Sequence, residues 1–390
     1  MLVKNKSMFT IEHVPSHLKP RFEILALGTD TRQRISWAQK GKIFSLTPKQ
    51  EFAYPDGFIR AASRFVSKRF GLSPRIIAFD PHPFFACGQE AGLLKEKYFP
   101  KCILKPIFHH TAHVANFGIE VSPKKRFIGV AFDGTGFGPD RHVWGGEFFI
   151  YDLSTFKRVA YLEEQPLPGN ESAIKEPWRM AFAILYKIYG KKIYKMHLKF
   201  LQNVPSQKLK LVAQMLDKNF NAPFTSSAGR LFDAASALLD IKPVVSQEAE
   251  AAIALEKAAA HFAGKTQPYG FKLKKKNGFL VIDTIPAFRQ MVEDLQQKKS
   301  VFEMAHRFHL TMTEVVWTTC TTLKKRLSID HVYCSGGVFM NNILTEELSK
   351  RAVQNRLKLY FAKRPTTTDL GISQGQIAAV CMERNILKTQ

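Results

Sequence analysis

The fold is decided by residues 127–150, which read FIGVAFDGTGFGPDRHVWGGEFFI. The first six of them are mainly apolar and predict a buried strand, which ends on Asp133. Gly134, Gly136 and Gly138 follow, and glycines in this place let the backbone approach a ligand and point its amides at an anion. The carboxyl ends of strands are where α/β folds bind their ligands. The stretch therefore predicts an α/β fold with a site at Asp133, although a glycine turn capped by Asp133 would have the same sequence.

A histidine motif lies just upstream of this strand. His109 and His113 are four residues apart, so on a helix they would share one face and could bind one metal ion. Asp133 would add an oxygen ligand, and Asp369, after three threonines, could add another. Two imidazoles and carboxylates with an open position suit iron, zinc or manganese acting as a Lewis acid. Such a histidine pair also occurs in cores and on surfaces without a metal, and we expect His110 to be an outer neighbour of the ligands or exposed.

The composition limits the size and class of the protein. The chain has 390 residues, of which 45% are hydrophobic, and its 32 phenylalanines can fill a large interior. This length favours two lobes over one simple core. The formal net charge of +24 predicts an anionic partner or substrate, such as a nucleotide, a nucleic acid or an acidic protein. The short lysine runs, taken singly, are typical of a solvated basic face.

The cysteines and the N-terminal sequence indicate a reducing compartment. The five cysteines are widely spaced and none forms a CxxC pair, so the sequence contains no zinc-finger pattern. Residues 1–15, MLVKNKSMFTIEHVP, contain no apolar signal core, and no apolar run approaches the ~18 residues of a membrane span. We therefore expect a cytoplasmic protein without a membrane partner.

Strands and helices alternate along the chain, which predicts an α/β architecture. Residues 301–327 predict one long helix, Ser226 or Ser227 is a candidate N-cap of an earlier helix, and Asn341 of a later one. The predicted division is a loose polar lead-in at residues 1–20, a first α/β lobe at residues 21–151, and a second lobe, helical and then α/β, at residues 152–390.

A second glycine turn, Ser335-Gly336-Gly337, is expected between a strand and a capped helix. Such a turn lets the backbone approach a nucleotide base or phosphate, although a purely structural turn would look the same. Asp233, expected on the exposed side of its helix, could bind a ribose hydroxyl or be a simple surface acid. Glu248 has the same two interpretations. Cys334 is expected to be a buried strand residue, because the sequence shows no adjacent base that would activate its thiol.

These two glycine turns, far apart in the sequence, resemble the nucleotide clamp of actin, Hsp70 and hexokinase. More closely, the chain is similar to the C-terminal domain of HypF, the carbamoyltransferase family of hydrogenase maturation. The resemblance covers nearly all of the chain in order. The matching stretches are ILALGTDTRQ (24–33), IIAFDPHP (76–83), HHTAHVAN (109–116), AFDGTGFGPD (131–140), VWGGEFF (143–149), SSAGRLFDAASALL (226–239), EAEAAIALE (248–256), SGGVFMNN (335–342) and DLGISQGQ (369–376).

The resemblance implies a two-lobed α/β fold of the actin–Hsp70–hexokinase class, with a nucleotide and metal cleft between the lobes. It implies a divalent transition metal, iron or zinc, held by His109, His113, Asp133 and Asp369, of which the histidines and Asp133 would act in catalysis. It also implies a site for ATP or for the AMP moiety of carbamoyl-adenylate. The residues of that site would be Gly134, Thr135, Gly136, Gly229, Asp233, Glu248, Gly336 and Gly337.

The resemblance further implies a ligase-linked carbamoyl transfer from carbamoyl-adenylate to an acceptor. For HypF the acceptor is the C-terminal cysteine of HypE, and dehydration there yields the nitrile that becomes hydrogenase cyanide. HypF proteins normally carry acylphosphatase-like, zinc-finger and YrdC-like adenylating domains before this region. We expect this chain to lack them and to need a YrdC-like protein in trans. Thr368 and Leu370 stand where the family usually has Asn and Gly, which could weaken metal affinity at Asp369.

Three other functions stay open. The related tRNA threonylcarbamoyl transferases would be favoured by the charge of +24 through phosphate contacts, but WGGEFF and GRLFDAASALL resemble the HypF branch. A small-molecule O-carbamoyltransferase would need no HypE-like partner. A nucleotide-binding remnant without turnover would fit the altered surroundings of Asp369. Salt-sensitive tRNA binding, the absence of a HypE-like partner, and the metal content would distinguish these three.

Overall fold

In a computed structural model, residues 8–355 and 357–383 are described, and they form two β-sheets with helices packed on them. The first sheet is mixed and has the strand order β1-β4-β3-β2-β5-β6. Its strands are β1 (Phe9–Val14), β2 (Ile24–Ala26), β3 (Ile35–Gln39), β4 (Lys42–Pro48), β5 (Ile76–Phe79) and β6 (Ile103–Pro106).

The second sheet has nine strands, of which seven follow the order β12-β13-β9-β8-β7-β14-β15. The two short strands β10 and β11 pair with each other, and β11 also pairs with β8. The strands are β7 (Phe127–Phe137), β8 (Val143–Tyr151), β9 (Phe156–Leu162), β10 (Gln165–Pro166), β11 (Phe224–Thr225), β12 (Lys272–Lys276), β13 (Phe279–Asp283), β14 (His331–Ser335) and β15 (Lys358–Phe361).

The helices of the described residues surround the two sheets, and none of them is long and apolar enough to cross a membrane. Those in the first part of the chain are α1 (Pro55–Phe70), α2 (Ala86–Lys97), α3 (His109–Ala115) and α4 (Phe117–Glu120). Those in the second part are α5 (Glu171–Lys175), α6 (Trp178–Tyr189), α7 (Lys199–Gln202), α8 (Ser206–Asp217), α9 (Ala228–Leu238), α10 (Glu250–Ala260), α11 (Ile285–Gln296), α12 (Val301–Leu327), α13 (Asn342–Gln354) and α14 (Ile372–Met382).

Helix ends agree well with the sequence patterns. Helix α12 spans the predicted residues 301–327. Ser227 is the N-cap of α9, where its hydroxyl oxygen accepts a hydrogen bond from the amide of Arg230 at 3.1 Å. Asn341 caps α13 in the same way through the amide of Leu344 at 3.0 Å. Each cap satisfies one of the amides that a helix leaves free at its start.

Two expectations about the first lobe need correction. The lead-in at residues 1–20 contains a strand, β1, which pairs along its length with β4, while residues 1–7 lie outside the described residues. Strands β7 and β8, assigned from sequence to the first lobe, belong to the second sheet. The change from the first sheet to the second therefore falls between β6 and β7. The division of the chain into lobes stays a prediction.

The last helix, α14, returns to the first sheet and packs against α3. The hydroxyl of Ser373 lies 2.8 Å from that of Ser36 on β3, and the side-chain amide of Gln376 exchanges two 2.9 Å hydrogen bonds with the backbone of Gly28. Gly375 allows the closest approach, since a Cβ there would lie 1.9 Å from the carbonyl oxygen of Ala112 on α3. This packing holds the segment just before α14 beside α3.

We expect Gly375→Ala to lower the free energy of unfolding by about 1–3 kcal/mol, because the added methyl group must push α14 away from α3. Gly92→Ala is the matched control, since Gly92 also lies inside a helix and an added Cβ would meet no atom within 4 Å. There we expect a gain of roughly 0.5–1 kcal/mol from the lower helix propensity of glycine. Urea denaturation of both variants would check the opposite signs. Equal effects of the two substitutions on the free energy of unfolding would show that α14 and α3 are not tightly packed.

Candidate metal and nucleotide site

Four side chains from distant parts of the chain meet between the two sheets. His109 and His113 lie on one face of α3, Asp133 lies where β7 and β8 break register, and Asp369 precedes α14. The Nε2 atom of His109 is 3.2 Å from Asp133 Oδ2 and 3.4 Å from Asp369 Oδ1. The Nε2 atom of His113 is 3.2 Å and 3.7 Å from the same two oxygens. Two nitrogens and two oxygens thus surround one point.

These distances suit a metal ion. Bonds of about 2.0–2.2 Å at tetrahedral angles place ligand atoms about 3.4 Å apart. The Nε2 atom of His113 is buried and lacks a hydrogen-bond partner of good geometry among the described residues, although a carboxylate oxygen of Asp133 is 3.2 Å away. A nitrogen whose lone pair points at the shared centre would show this arrangement. The four residues therefore fit a divalent transition metal.

Outer contacts fix the orientation of both imidazoles. The Nδ1 atom of His109 is 3.0 Å from Asp80 Oδ2, and both side chains are almost fully buried. The Nδ1 atom of His113 is 3.3 Å from the hydroxyl of Ser335. A partner at Nδ1 selects the tautomer whose Nε2 is free to bind a metal. We did not predict from the sequence that Asp80, at the end of β5, belongs to the site. The pattern that could have predicted it is a strand followed by an acid within IIAFDPHP.

Hydrogen bonds also fix the orientation of the two carboxylates. The amide of Gly337 donates a hydrogen bond of 2.9 Å to Asp133 Oδ1, and the hydroxyl of Thr31 donates one to Asp369 Oδ2. Gly337 follows β14, which pairs in parallel with β7, so the second glycine turn lies directly beside Asp133. Each carboxylate therefore keeps one oxygen for a metal and uses the other within the protein.

The cluster is charged in spite of its burial. Burial opposes ionisation of Asp133, but His109 and His113 outweigh it and hold the pKa of this carboxyl well below its usual range. Burial likewise opposes protonation of His109, but Asp369, Asp133 and Asp80 outweigh it and raise the pKa of His109 well above its usual value. The site is built for a compensating positive charge, which imidazole protons or a divalent cation can supply.

His110 differs from its two neighbours. The alternative that it is exposed is wrong, because it is fully buried, and both ring nitrogens lack hydrogen-bond partners among the described residues. Burial, together with the nearby His109, lowers the pKa of His110 well below its usual value, so the ring is neutral. Its side chain lies against Gly136, where a Cβ would approach to 2.4 Å.

A cavity of about 620 Å³ opens beside the four predicted metal ligands. Asp133 and Asp369 line it, so these two carboxylates face both the predicted metal and the cavity. Three predicted nucleotide residues lie elsewhere: Thr135 is exposed, Gly136 packs under the histidines, and Gly336 packs against the carbonyl of Phe132. The predicted residues that do line the cavity are Gly134, Gly229, Asp233, Glu248 and Gly337.

Asp233 is buried, contrary to the expectation that it lies on an exposed helix face. Its side chain accepts an ion-pair contact from Arg230 at 2.9 Å, and burial raises the pKa of Asp233 although Arg230 opposes this. Every residue of α9 is buried, so the helix has no solvent face on which an acid could lie. Glu248, in contrast, is exposed at the rim, where it pairs with Arg32 at 3.2 Å.

Two protein-family models match the part of the chain that contains the candidate site. A family model described as "Carbamoyltransferase, Kae1-like Domain, second subdomain" matches residues 129–376, and one described as "HypF Kae1-like domain" matches residues 19–120. The chain belongs to the HypF family. The two matches contain all four predicted metal ligands and the cavity, so the site is built from the part of the chain that defines the family.

Relatives in the family extend the comparison. Carbamoyltransferase HypF2 of Cupriavidus necator is 31% identical over 338 residues, which cover 78% of this chain and 40% of that protein. The carbamoyltransferase HypF homolog of the same organism is 31% identical over 303 residues, which cover 77% of this chain and 76% of that protein. The chain thus spans two fifths of the first relative and three quarters of the second.

A solved HypF structure confirms the predicted fold. The crystal structure of full-length HypF in its phosphate- and nucleotide-bound form superposes with a TM-score of 0.85 at 27% identity, over 95% of this chain and 57% of that one. The predicted fold class, a two-lobed α/β fold of the actin–Hsp70–hexokinase type, is therefore correct. The phosphate and the nucleotide are ligands of that full-length protein.

We expect Asp80→Asn to weaken metal affinity by about tenfold, because the amide oxygen still accepts from His109 but no longer carries the charge that strengthens the ligand. Competition with a chelator at fixed pH would measure the change. Asp330→Asn is the matched control, since that aspartate also contacts an imidazole, with its Oδ1 atom 2.7 Å from Nδ1 of His331, but belongs to neither candidate metal cluster of the described residues. Equal affinity in Asp80→Asn and the parent protein would show that Asp80 does not support the ligand.

Proposed function

We propose that this chain is a carbamoyltransferase that moves a carbamoyl group from carbamoyl-adenylate to an acceptor. The proposal rests on one observation: Asp133 and Asp369 belong both to the predicted metal site and to the cavity. Both are predicted metal ligands, and both line the adjoining cavity. A substrate whose nucleotide part occupies the cavity would therefore place its acyl group beside the four ligands.

The residues of the site suit this reaction. When bound, a divalent metal would supply Lewis acidity that polarises the carbamoyl carbonyl. The protein holds its ligands rigidly: Asp80 and Ser335 orient the imidazoles, and Gly337 orients Asp133. Such fixed groups need no reorganisation as charge develops on the reacting atoms. Transfer forms a bond from the acceptor to the carbamoyl carbon and breaks the bond to phosphate, whose oxygen keeps the electron pair.

The acceptor and the source of the adenylate extend the same proposal. The family and its relatives are named for HypF, which supports a protein acceptor of the HypE type that presents a C-terminal cysteine thiolate. In the transfer the thiolate sulfur forms a bond to the carbamoyl carbon, and AMP leaves with the electron pair of the broken carbon–oxygen bond. We propose that a YrdC-like protein or domain makes the adenylate from carbamoyl phosphate and ATP.

The test is a transfer assay with the metal-loaded chain, a YrdC-like protein that supplies fresh carbamoyl-adenylate, and a HypE-type acceptor. Mass spectrometry of the acceptor should show a carbamoylated C-terminal cysteine only when all three are present. Acceptor with its terminal cysteine replaced by serine is the control. Carbamoylation of tRNA or of a small hydroxyl compound instead would reassign the acceptor. Absence of any product from fresh adenylate would contradict the transferase itself.

A further inference from the structure

A buried cation with unused hydrogen-bond donors faces the cavity. Arg230 is only 4% exposed and lines the cavity. Its Nη2 atom contacts Asp233 at 2.9 Å, whereas Nε and Nη1 are buried without a partner in the described part of the chain. A guanidinium carries five N–H donors and stays charged, and donors that are buried unpaired are costly. The unpaired donors, together with the place of the guanidinium in the cavity lining, favour an acceptor bound in the cavity.

The position of Arg230 places such an acceptor close to the predicted metal. The hydroxyl of Ser227, one turn earlier, donates to the carbonyl of Asp133 at 2.8 Å, which ties the start of α9 to the irregular middle of β7. Arg230 Nη2 would lie 3.8 Å from a Cβ added to Gly134, the residue after Asp133. The guanidinium thus lies over the glycine turn, beside the reacting end of the cavity and away from its rim.

The charges of the lining indicate what kind of ligand Arg230 receives. Five carboxylates and two arginines line the cavity, so the lining has an excess of acidic groups, and an anionic group can pair only with the two arginines or with a bound cation. Arg32 is half exposed and already paired with Glu248. Arg230 is the buried one, with a fixed fork that matches two oxygens of a phosphate group. A neutral nucleoside would leave its free donors unpaired.

We propose that Arg230 binds the phosphate group of the nucleotide, an inference that rests on the proposed nucleotide function of this cavity. The guanidinium, which lines the cavity, donates to the non-bridging phosphate oxygens. The same guanidinium faces the negative charge that the phosphate gains when the bond to the carbamoyl carbon breaks. Asp233 then serves chiefly to hold Arg230 in place, which also explains why an acid lies in a fully buried helix.

The test compares binding of AMP with binding of adenosine by calorimetry, with the metal-loaded and the metal-depleted full chain. The parent should bind AMP at least about tenfold more tightly than adenosine, or ~1.4 kcal/mol. In Arg230→Gln the two affinities should differ by less than about threefold, while adenosine affinity stays near that of the parent. Arg230→Lys keeps the charge without the fork and should give an intermediate ratio.

Controls separate this role from a structural one. Arg230→Gln leaves Asp233 unpaired, so the double variant Arg230→Gln/Asp233→Asn removes both charges and should fold if the single variant does not. The ratio of the two affinities is the readout, because loss of a ribose contact would change both ligands equally. A full AMP preference in Arg230→Gln or in the double variant would overturn the inference, as would a parent that shows no AMP preference.

The result of the binding comparison between AMP and adenosine does not depend on the result of the transfer assay. A chain with an Arg230-dependent AMP preference that carbamoylates nothing would keep this inference and remove the proposed function. An active transferase whose Arg230 variants keep their AMP preference would keep the proposed function and remove this inference.

Discussion

Replacing His113 by alanine should remove the metal from the purified protein. We expect ~1 transition-metal ion per chain in the parent and less than about a tenth of that in His113→Ala, by elemental analysis. The reason is the composition of the cluster: His113 supplies one of its two nitrogens, and the remaining carboxylates would face a single imidazole. Loss of a direct ligand should cost more than the roughly 10–100-fold that loss of an outer partner costs. Carbamoyl transfer should fall with the metal content.

The chain contains a matched control for this change. His110 lies on the same short helix and is equally buried, but it is outside the four-ligand cluster. His110→Ala should keep its metal, although the cavity it leaves should lower stability. Both variants should keep their circular dichroism spectrum, because α3 is held by α14 and β7 on other residues. Equal metal content in His113→Ala and the parent would exclude this site, as would equal loss in both variants.

The fold could be predicted where local sequence determines it. The 3.6-residue pattern and the flanking turns predicted the observed ends of α12, and the cap residues Ser227 and Asn341 hold the amides that their positions suggested. The sheet membership of β7 and β8 could not be predicted in this way. Their partners β14 and β9 are chosen by packing between distant segments, which leaves no periodic signal in either strand.

The candidate site shows the same limit. The four ligands could be proposed because each lies in a motif of unusual composition: the histidine motif of α3, the glycine-rich part of β7, and the segment just before α14. The burial of Asp233 and His110 could not, because each depends on helices that cover the element from several sides. Arg230 was also missed, although GRLFD placed it three residues before Asp233. An arginine looks like a surface residue in a sequence, and only the packing shows that it is buried.

The second large effect concerns the glycine turn after β14. Gly337 lines the cavity, and its amide donates to Asp133 Oδ1 at 2.9 Å. A Cβ at this position would lie 3.1 Å from the same oxygen, so any side chain must push against a predicted metal ligand. The neighbouring Gly336 has a φ of +103°, a backbone conformation in which any residue type except glycine is strained. Gly337 carries no such constraint, so a substitution there probes the ligand space with less damage to the fold.

We therefore expect Gly337→Val to lower AMP affinity more than about a hundredfold, or ~2.7 kcal/mol, because the branched side chain enters the cavity floor and displaces Asp133. Calorimetry on metal-depleted protein isolates the steric effect, and a second titration with metal adds the effect on the ligand. Gly92→Val is the control, since an added Cβ there meets no atom within 4 Å and Gly92 does not line the cavity. Thermal melting should show both variants folded. Unchanged AMP affinity in Gly337→Val would mean that the turn only shapes the backbone and that the nucleotide binds elsewhere.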